Sequence, residues 1–180
     1  MRLLLEIFWL MLPAGVANMA PVVAARLFPH WDWPIDAGVS LAGVRLFGDH
    51  KTVRGLLAGV VAGALVFIGQ QLLCARFEPL RAIARLDYAT ASWWWGAALG
   101  LGALLGDLLK SFFKRRFGIA PGQPWFPFDQ IDWMLGALLI AWPMAVLDLR
   151  LVTVALLLAA IVSLLVKRVG FWLHLDDKPF

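Results

Sequence analysis

Five stretches of this chain carry no charged residue, namely residues 7–25, 55–75, 88–106, 133–147 and 151–166, and the polar residues gather between them. An apolar helix crosses a bilayer with about 20 residues and manages with about 17 when its ends snorkel, so the first three stretches are long enough and the last two are short. All five are read as spans. The break Asp148-Leu149-Arg150 fits a tight helical hairpin, and Pro143 is expected to kink the fourth span without ending it. The pattern predicts an all-α polytopic integral membrane protein with five transmembrane helices, forming a single membrane-embedded domain over residues 1–180.

Composition sharpens that picture. The 180 residues are 62% hydrophobic and 16% charged, with a mean hydropathy of +0.79. Soluble domains hold about 45–50% apolar and about 25% charged residues, so lipid rather than water is the matching solvent. A disulfide scaffold, a disordered tail and an ordinary soluble domain are excluded. Cys74 stands alone in an apolar run, where a thiol behaves as a small hydrophobe.

The glycines predict how the spans pack. Gly55, Gly59 and Gly63 recur every fourth residue, as do Gly96/Gly100 and Gly102/Gly106, a spacing that lets helix backbones approach closely. Trp31, Trp33, Trp93, Trp94, Trp95, Trp125 and Trp133 lie near span ends and read as interfacial anchors.

Charge sets an expected orientation. One face would hold Arg45, Lys51, Arg54, Lys110, Lys114, Arg115, Arg116, Lys167, Arg168 and Lys178, and the other Arg2, Arg76, Arg81, Arg85 and Arg150. The positive-inside rule makes the richer face cytoplasmic, with the C-terminus and the site there and the N-terminus outside, in the cell membrane. Residues 1–20 resemble a signal peptide, but Ala17-Asn18-Met19 is a poor cleavage site and the apolar run continues, so an uncleaved first span is expected. The net charge of +4 follows these anchors rather than a stripe that could track a nucleic acid, so no nucleic-acid partner is expected. Anionic headgroups or a polyphosphate suit it better.

Three polar clusters fall on the basic face. In the first, Asp107, Lys110, Ser111 and Lys114 recur at i, i+3, i+4 and i+7, which puts an acid, a hydroxyl and two ammonium groups on one side of a helix. The cluster suits a phosphate chain with its metal, and equally a positive anchor with an intrahelical ion pair. In the second, Asp129 and Asp132 open the fourth span at i, i+3, where both could aim oxygens at one magnesium ion. Taken alone, a helix cap at Asp129 and a dipole-favouring Asp132 explain them as well. The third, Gly43-Val44-Arg45-Leu46-Phe47-Gly48-Asp49-His50-Lys51-Thr52-Val53-Arg54-Gly55, offers cations and a cap at Thr52, without the glycine spacing of a P-loop. Carboxylates and cations together at helix ends, rather than at the bilayer midplane, point to an interfacial enzyme acting on polyphosphate.

The segment from Phe47 to Gly55, then Gly106-Asp107 through Ser111, Lys114-Arg115-Arg116 and Gly118, then Pro121-Gly122 and Asp129-Gln130-Ile131-Asp132, resemble the CDP-archaeol synthase family of integral-membrane cytidylyltransferases. Residues 13–21 and the tail 171–180 are similar to that family too. The resemblance implies transfer of a cytidylyl group from CTP to a lipid phosphate, an archaetidic-acid-like 2,3-bis-O-geranylgeranylglycerol phosphate, with release of pyrophosphate and a need for Mg²⁺. It also implies a relationship to the phosphatidate cytidylyltransferases.

By position, the resemblance makes Asp107, Lys110, Ser111, Lys114, Asp129 and Asp132 the catalytic set, with Asp107, Asp129 and Asp132 as metal carboxylates. Asn18, Lys51, Thr52, Arg54, Arg115 and Arg116 become the substrate-binding set. CTP, the lipid phosphate and membrane lipids are the expected partners, with a second copy of the chain as a further candidate. The lipid phosphate is already anionic near neutral pH, so its attack needs no strong base and His50 need not be catalytic. His30 and His174 lack partners at metal-ligand spacing. A CDP-diacylglycerol synthase acting on phosphatidate, and a non-catalytic lipid-binding protein or small transporter, remain alternatives.

Overall fold

The structure, a computed structural model, describes residues 1–120, 123–143, 145 and 147–172. Six helices follow in order: α1 Arg2–Leu27, α2 Val53–Arg76, α3 Glu78–Ala82, α4 Trp94–Arg116, α5 Phe128–Ala141 and α6 Leu149–Trp172. Pro121-Gly122, His174, Lys178 and the rest of the tail lie outside the described residues.

Four of these helices are long and apolar enough to cross a membrane: α1, α2, α4 and, through Val169, α6. The fourth expected span is different. Helix α5 has 14 residues, about 21 Å at 1.5 Å per residue, against a hydrocarbon core of about 30 Å. It starts five residues before Trp133 and stops at Ala141, so Pro143 follows a helix end rather than kinking a helix that continues. Proline lacks the N–H that would extend the ladder, and the residue before it is steered away from helical backbone. The third span also shifts: residues 88–93 precede α4, which runs on to Arg116 and carries the whole first polar cluster. Asp148 opens α6 by accepting the Leu151 N–H at 2.7 Å.

The long connection between α1 and α2 holds the only strands among the described residues. Two-residue strands β1 (Ser40–Leu41) and β2 (Val44–Arg45) pair antiparallel, Ser40 with Arg45 and Leu41 with Val44. Ala42 and Gly43 both have positive φ in the turn between them, as a tight two-residue hairpin requires.

Helix α4 is central, packed against α1, α2 and α5, while α6 lies against α5 and α1. The glycine spacing shows its purpose at these seams. A Cβ on Gly63 would collide with the Gly96 carbonyl, and one on Gly102 with the Gly136 carbonyl. Phe67, Ile7, Leu10, Leu99, Met134 and Leu151 fill the core, and Leu65, Leu72, Leu139 and Leu157 stand on the outer surface, where lipid is the fitting solvent. At one end of the bundle Glu6 is clasped by Arg2 and Arg85 at 2.8 and 2.7 Å. The three polar clusters occupy the other end.

Candidate active site

The helical spacing on α4 and the close α4–α5 seam bring five charged side chains into one network. The Lys110 ammonium stands 2.9 Å from Asp107, 3.3 Å from Asp129 and 2.8 Å from Asp132. The Lys114 ammonium lies 3.0 Å from both Asp129 oxygens and donates to the Gln123 carbonyl at 2.6 Å. Lys51 arrives from the α1–α2 connection and pairs with Asp107. Three ammonium groups thus face three carboxylates, and the site is formally neutral. Access is graded: the Asp132 side chain is 7% exposed and the Lys51 side chain 26%.

Asp129 does not cap α5. Its carboxylate turns away from the helix to accept the Trp125 N–H at 2.6 Å and to meet both lysines. Trp125 itself sits among Phe117 and Phe128, with ring centroids 5.6 and 4.5 Å away. Ser111 is buried and donates to the Asp107 carbonyl one turn back, at 2.8 Å, so its proton is engaged within α4. Thr52 accepts the Gly55 N–H at 3.3 Å and caps α2.

The arginines are held by backbone oxygens. Arg54 donates to the carbonyls of Phe28 and Pro29, and Arg115 to that of Ile119. Arg116 donates to the Arg45 carbonyl at 3.0 Å and lies over the Phe112 ring at 4.0 Å. One buried nitrogen on each, Arg54 Nε, Arg115 Nε and Arg116 Nη2, finds no acceptor. Buried guanidinium donors without partners are costly, and an anion would satisfy them.

Asn18 falls elsewhere. It lines a groove of about 330 Å³ between α1, α5 and α6 whose walls are apolar, among them Met11, Met134, Leu158 and Val162. Asp129, Ser163 and Lys167 are its other polar members. Asp129 therefore belongs both to the charged network and to the apolar groove.

A model of the family described as CarS-like, CDP-archaeol synthase, matches residues 1–180. The chain belongs to the CDP-archaeol synthase family. It is 42% identical to the CDP-archaeol synthase of Thermofilum pendens over 173 residues, 94% of this chain and 78% of the relative. It is 35% identical to that of Pyrobaculum arsenaticum over 174 residues, 96% of each. It also superposes on a solved structure described as "Structural insight into an intramembrane enzyme for archaeal membrane lipids biosynthesis", with a TM-score of 0.72 and 36% identity over 89% of this chain and 91% of that one.

For a member of the CDP-archaeol synthase family, the donor set bears on magnesium. Among the described residues no three carboxylate, imidazole or thiol groups stand close enough to enclose an ion by themselves. Asp107, Asp129 and Asp132 nevertheless converge on one point, occupied by the Lys110 ammonium. Hard carboxylate oxygens around a cationic point are the donors Mg²⁺ takes, with water and phosphate completing its shell. With Lys110 between them, the three carboxylates have the donor chemistry for such an ion.

Three contributors escape a sequence reading: the Gln123 carbonyl, Lys167 at the groove, and Asp36. Asp36 is buried in the α1–α2 connection and bonded to Arg45 at 2.6 Å and to the N–H groups of Gly38, Phe47 and Gly48. The Arg45 guanidinium and these donors hold its carboxyl well below the usual range, against the opposing effect of burial. Its only local signal is a turn-like Pro34-Ile35-Asp36-Ala37-Gly38.

Proposed function

We propose that the protein is a CTP-dependent cytidylyltransferase that converts 2,3-bis-O-geranylgeranylglycerol phosphate and CTP to a CDP-lipid and pyrophosphate. One observation carries this reading: Asp129 is shared by the buried Lys–Asp network and the apolar groove. A substrate joining a phosphate to a long apolar chain fits that junction, and membership of the CDP-archaeol synthase family names the reaction.

In this reading an oxygen of the lipid phosphate attacks the α-phosphorus of CTP in line. The new P–O bond forms as the bond to the β-phosphate bridging oxygen breaks, and pyrophosphate leaves with the electron pair. The attacking oxygen is anionic, so catalysis rests on positioning and charge neutralisation. Lys51, Lys110 and Lys114 neutralise phosphate charge, and Arg54, Arg115 and Arg116 offer their unpaired N–H groups. Thr52 supports this set by holding the start of α2, and Ser111 fixes the α4 backbone beneath Asp107. Asn18 and Lys167 face the lipid phosphate at the groove. Mg²⁺ held by Asp107, Asp129 and Asp132 would neutralise part of the triphosphate charge and polarise it.

Helix α5 is the short fourth of five spans, with the charged end of the bundle in the cytoplasm and the N-terminus outside; the excess of Lys and Arg at that end supports it.

The test is pyrophosphate release from CTP and Mg²⁺ by detergent-purified protein, with the isoprenoid ether-lipid phosphate and phosphatidate offered side by side. Release with the ether lipid is expected. Release with phosphatidate alone would reassign the lipid, and silence with both would favour a non-catalytic lipid-binding protein.

A further inference from the structure

Lys51 differs from the other two site lysines in its support. Lys110 and Lys114 project from the body of α4, whereas Lys51 ends an irregular connection of residues 28–52. Its position is nevertheless fixed by a closed set of hydrogen bonds that begins at Asp36. One Asp36 oxygen accepts the Gly38 N–H at 3.1 Å and Arg45 Nη2 at 2.6 Å. The other accepts the N–H groups of Phe47 at 3.1 Å and Gly48 at 3.3 Å.

From there the chain of contacts runs directly to Lys51. The Gly48 carbonyl accepts the Lys51 N–H at 3.2 Å, and the Ile35 N–H, next to Asp36, donates to the Lys51 carbonyl at 2.8 Å. Pro34 and Thr52 form a backbone bridge, closed by the Val53 N–H on the Trp33 carbonyl at 2.9 Å. The Lys51 N–H is thereby tied to a residue that the Asp36 carboxylate holds, and the Lys51 carbonyl to the residue that precedes Asp36 in the chain. A second arm leaves Arg45, whose carbonyl accepts Arg116.

We propose that Asp36 is a positioning residue for cytidylyl transfer, its ion pair with Arg45 folding the connection so that Lys51 reaches Asp107. This rests on the cytidylyltransferase reading. The physical warrant is that the Asp36 side chain is fully buried while touching no group of the charged network itself. A buried carboxylate with both oxygens satisfied fixes geometry, and a displacement of about 1 Å at a reacting centre can cost about 10²-fold in rate.

The experiment uses the full chain in detergent, with two readouts. Reaction of each lysine with an amine-reactive reagent, followed by mass spectrometry, reports whether Lys51 is docked. A double-mutant cycle on kcat reports whether Asp36 acts through Lys51. In Asp36→Asn, Lys51 labelling is expected to rise several-fold while Lys110 and Lys114 keep theirs. The turnover of Asp36→Asn should fall, and Asp36→Asn/Lys51→Met should be no slower than Lys51→Met alone. Unchanged Lys51 labelling, or losses that multiply, overturns the proposal. Arg45→Gln removes the same ion pair and carries the same expectations should Asp36→Asn fail to fold. Wild-type protein that releases no pyrophosphate would refute the cytidylyltransferase reading instead, and Lys51 labelling would then decide the positioning alone.

Discussion

Gly106 lies against the Asp132 carbonyl with no room for a Cβ between them. The next residue is Asp107, so the seam that lets α4 touch α5 also sets how far apart the two carboxylates stand. Any side chain at 106 must push the helices apart and stretch the bonds from Lys110 to Asp107 and Asp132. Gly106→Ala is therefore expected to lose stability by about 1–3 kcal/mol, the usual cost of overpacking, and to lose most pyrophosphate release. Gly69→Ala, where a Cβ meets nothing within 4 Å, should melt at or above the wild-type temperature. Equal behaviour of the two variants in thermal unfolding and turnover would sink this account of the seam.

Lys110 joins Asp107, Asp129 and Asp132, so Lys110→Met leaves three carboxylates facing one another with only Lys51 and Lys114 at the edges. Removing one partner from a buried ion network costs about 3–5 kcal/mol. In metal-free buffer the variant should melt well below wild type, and Mg²⁺ should raise its melting temperature more than it raises that of wild type. A melting temperature indifferent to Mg²⁺ would count against the three carboxylates as an ion site. The companion variants Asp129→Asn and Asp132→Asn should need more Mg²⁺ for half-maximal turnover; full activity at limiting Mg²⁺ would remove them from the metal assignment.

The sequence patterns that carried through to the structure are periodic ones. Charge-free runs located α1, α2, α4 and α6, glycines at every fourth residue marked the close seams, and the i, i+3, i+4, i+7 pattern put Asp107, Lys110, Ser111 and Lys114 on one face. These signals survive because helix geometry converts spacing directly into direction. Proline was harder to weigh. Pro13 and Pro21 lie inside α1 while Pro143 follows the end of α5, and sequence spacing does not say whether neighbouring helices will satisfy the freed carbonyls. Asp36 was invisible for another reason: apart from Gly38, its partners lie nine to twelve residues ahead, across a hairpin whose turn must form first. The groove was likewise hidden, since Val162 and Met11 come together only when α6 packs on α1.

That groove gives a prediction about the lipid. Val162 lines it yet is 39% exposed, so a larger side chain there can be accommodated without rebuilding the core. Val162→Trp should leave the melting temperature near wild type and raise the KM for a long-chain lipid phosphate, while the KM for CTP stays unchanged. A short-chain lipid phosphate, which does not fill the groove, should be affected less. An equal rise for long and short chains would mean that the groove does not hold the lipid tail.

Acid should release the connection that carries Lys51. The Asp36 carboxyl is held below its ordinary value, chiefly by its hydrogen bond to Arg45, with the backbone N–H groups of Phe47, Gly38 and Gly48 adding to it. A depressed acid favours the folded form wherever the unfolded form would bind the proton and the folded form does not. The stabilisation is complete above the unfolded carboxyl pKa of about 3.9 and is lost as pH falls below it toward the folded value. Hydrogen exchange, corrected for the intrinsic pH dependence of the chemistry, should show the Phe47 and Gly48 amides protected at pH 5 to 7 and progressively exposed below about pH 4. Asp36→Asn has no carboxyl to titrate at that position, so its Phe47 and Gly48 amides should exchange faster at neutral pH and vary little through the same range. Wild-type protection that persists unchanged to the lowest pH at which the helices stay folded would show that the hairpin is held by something other than the Asp36–Arg45 pair.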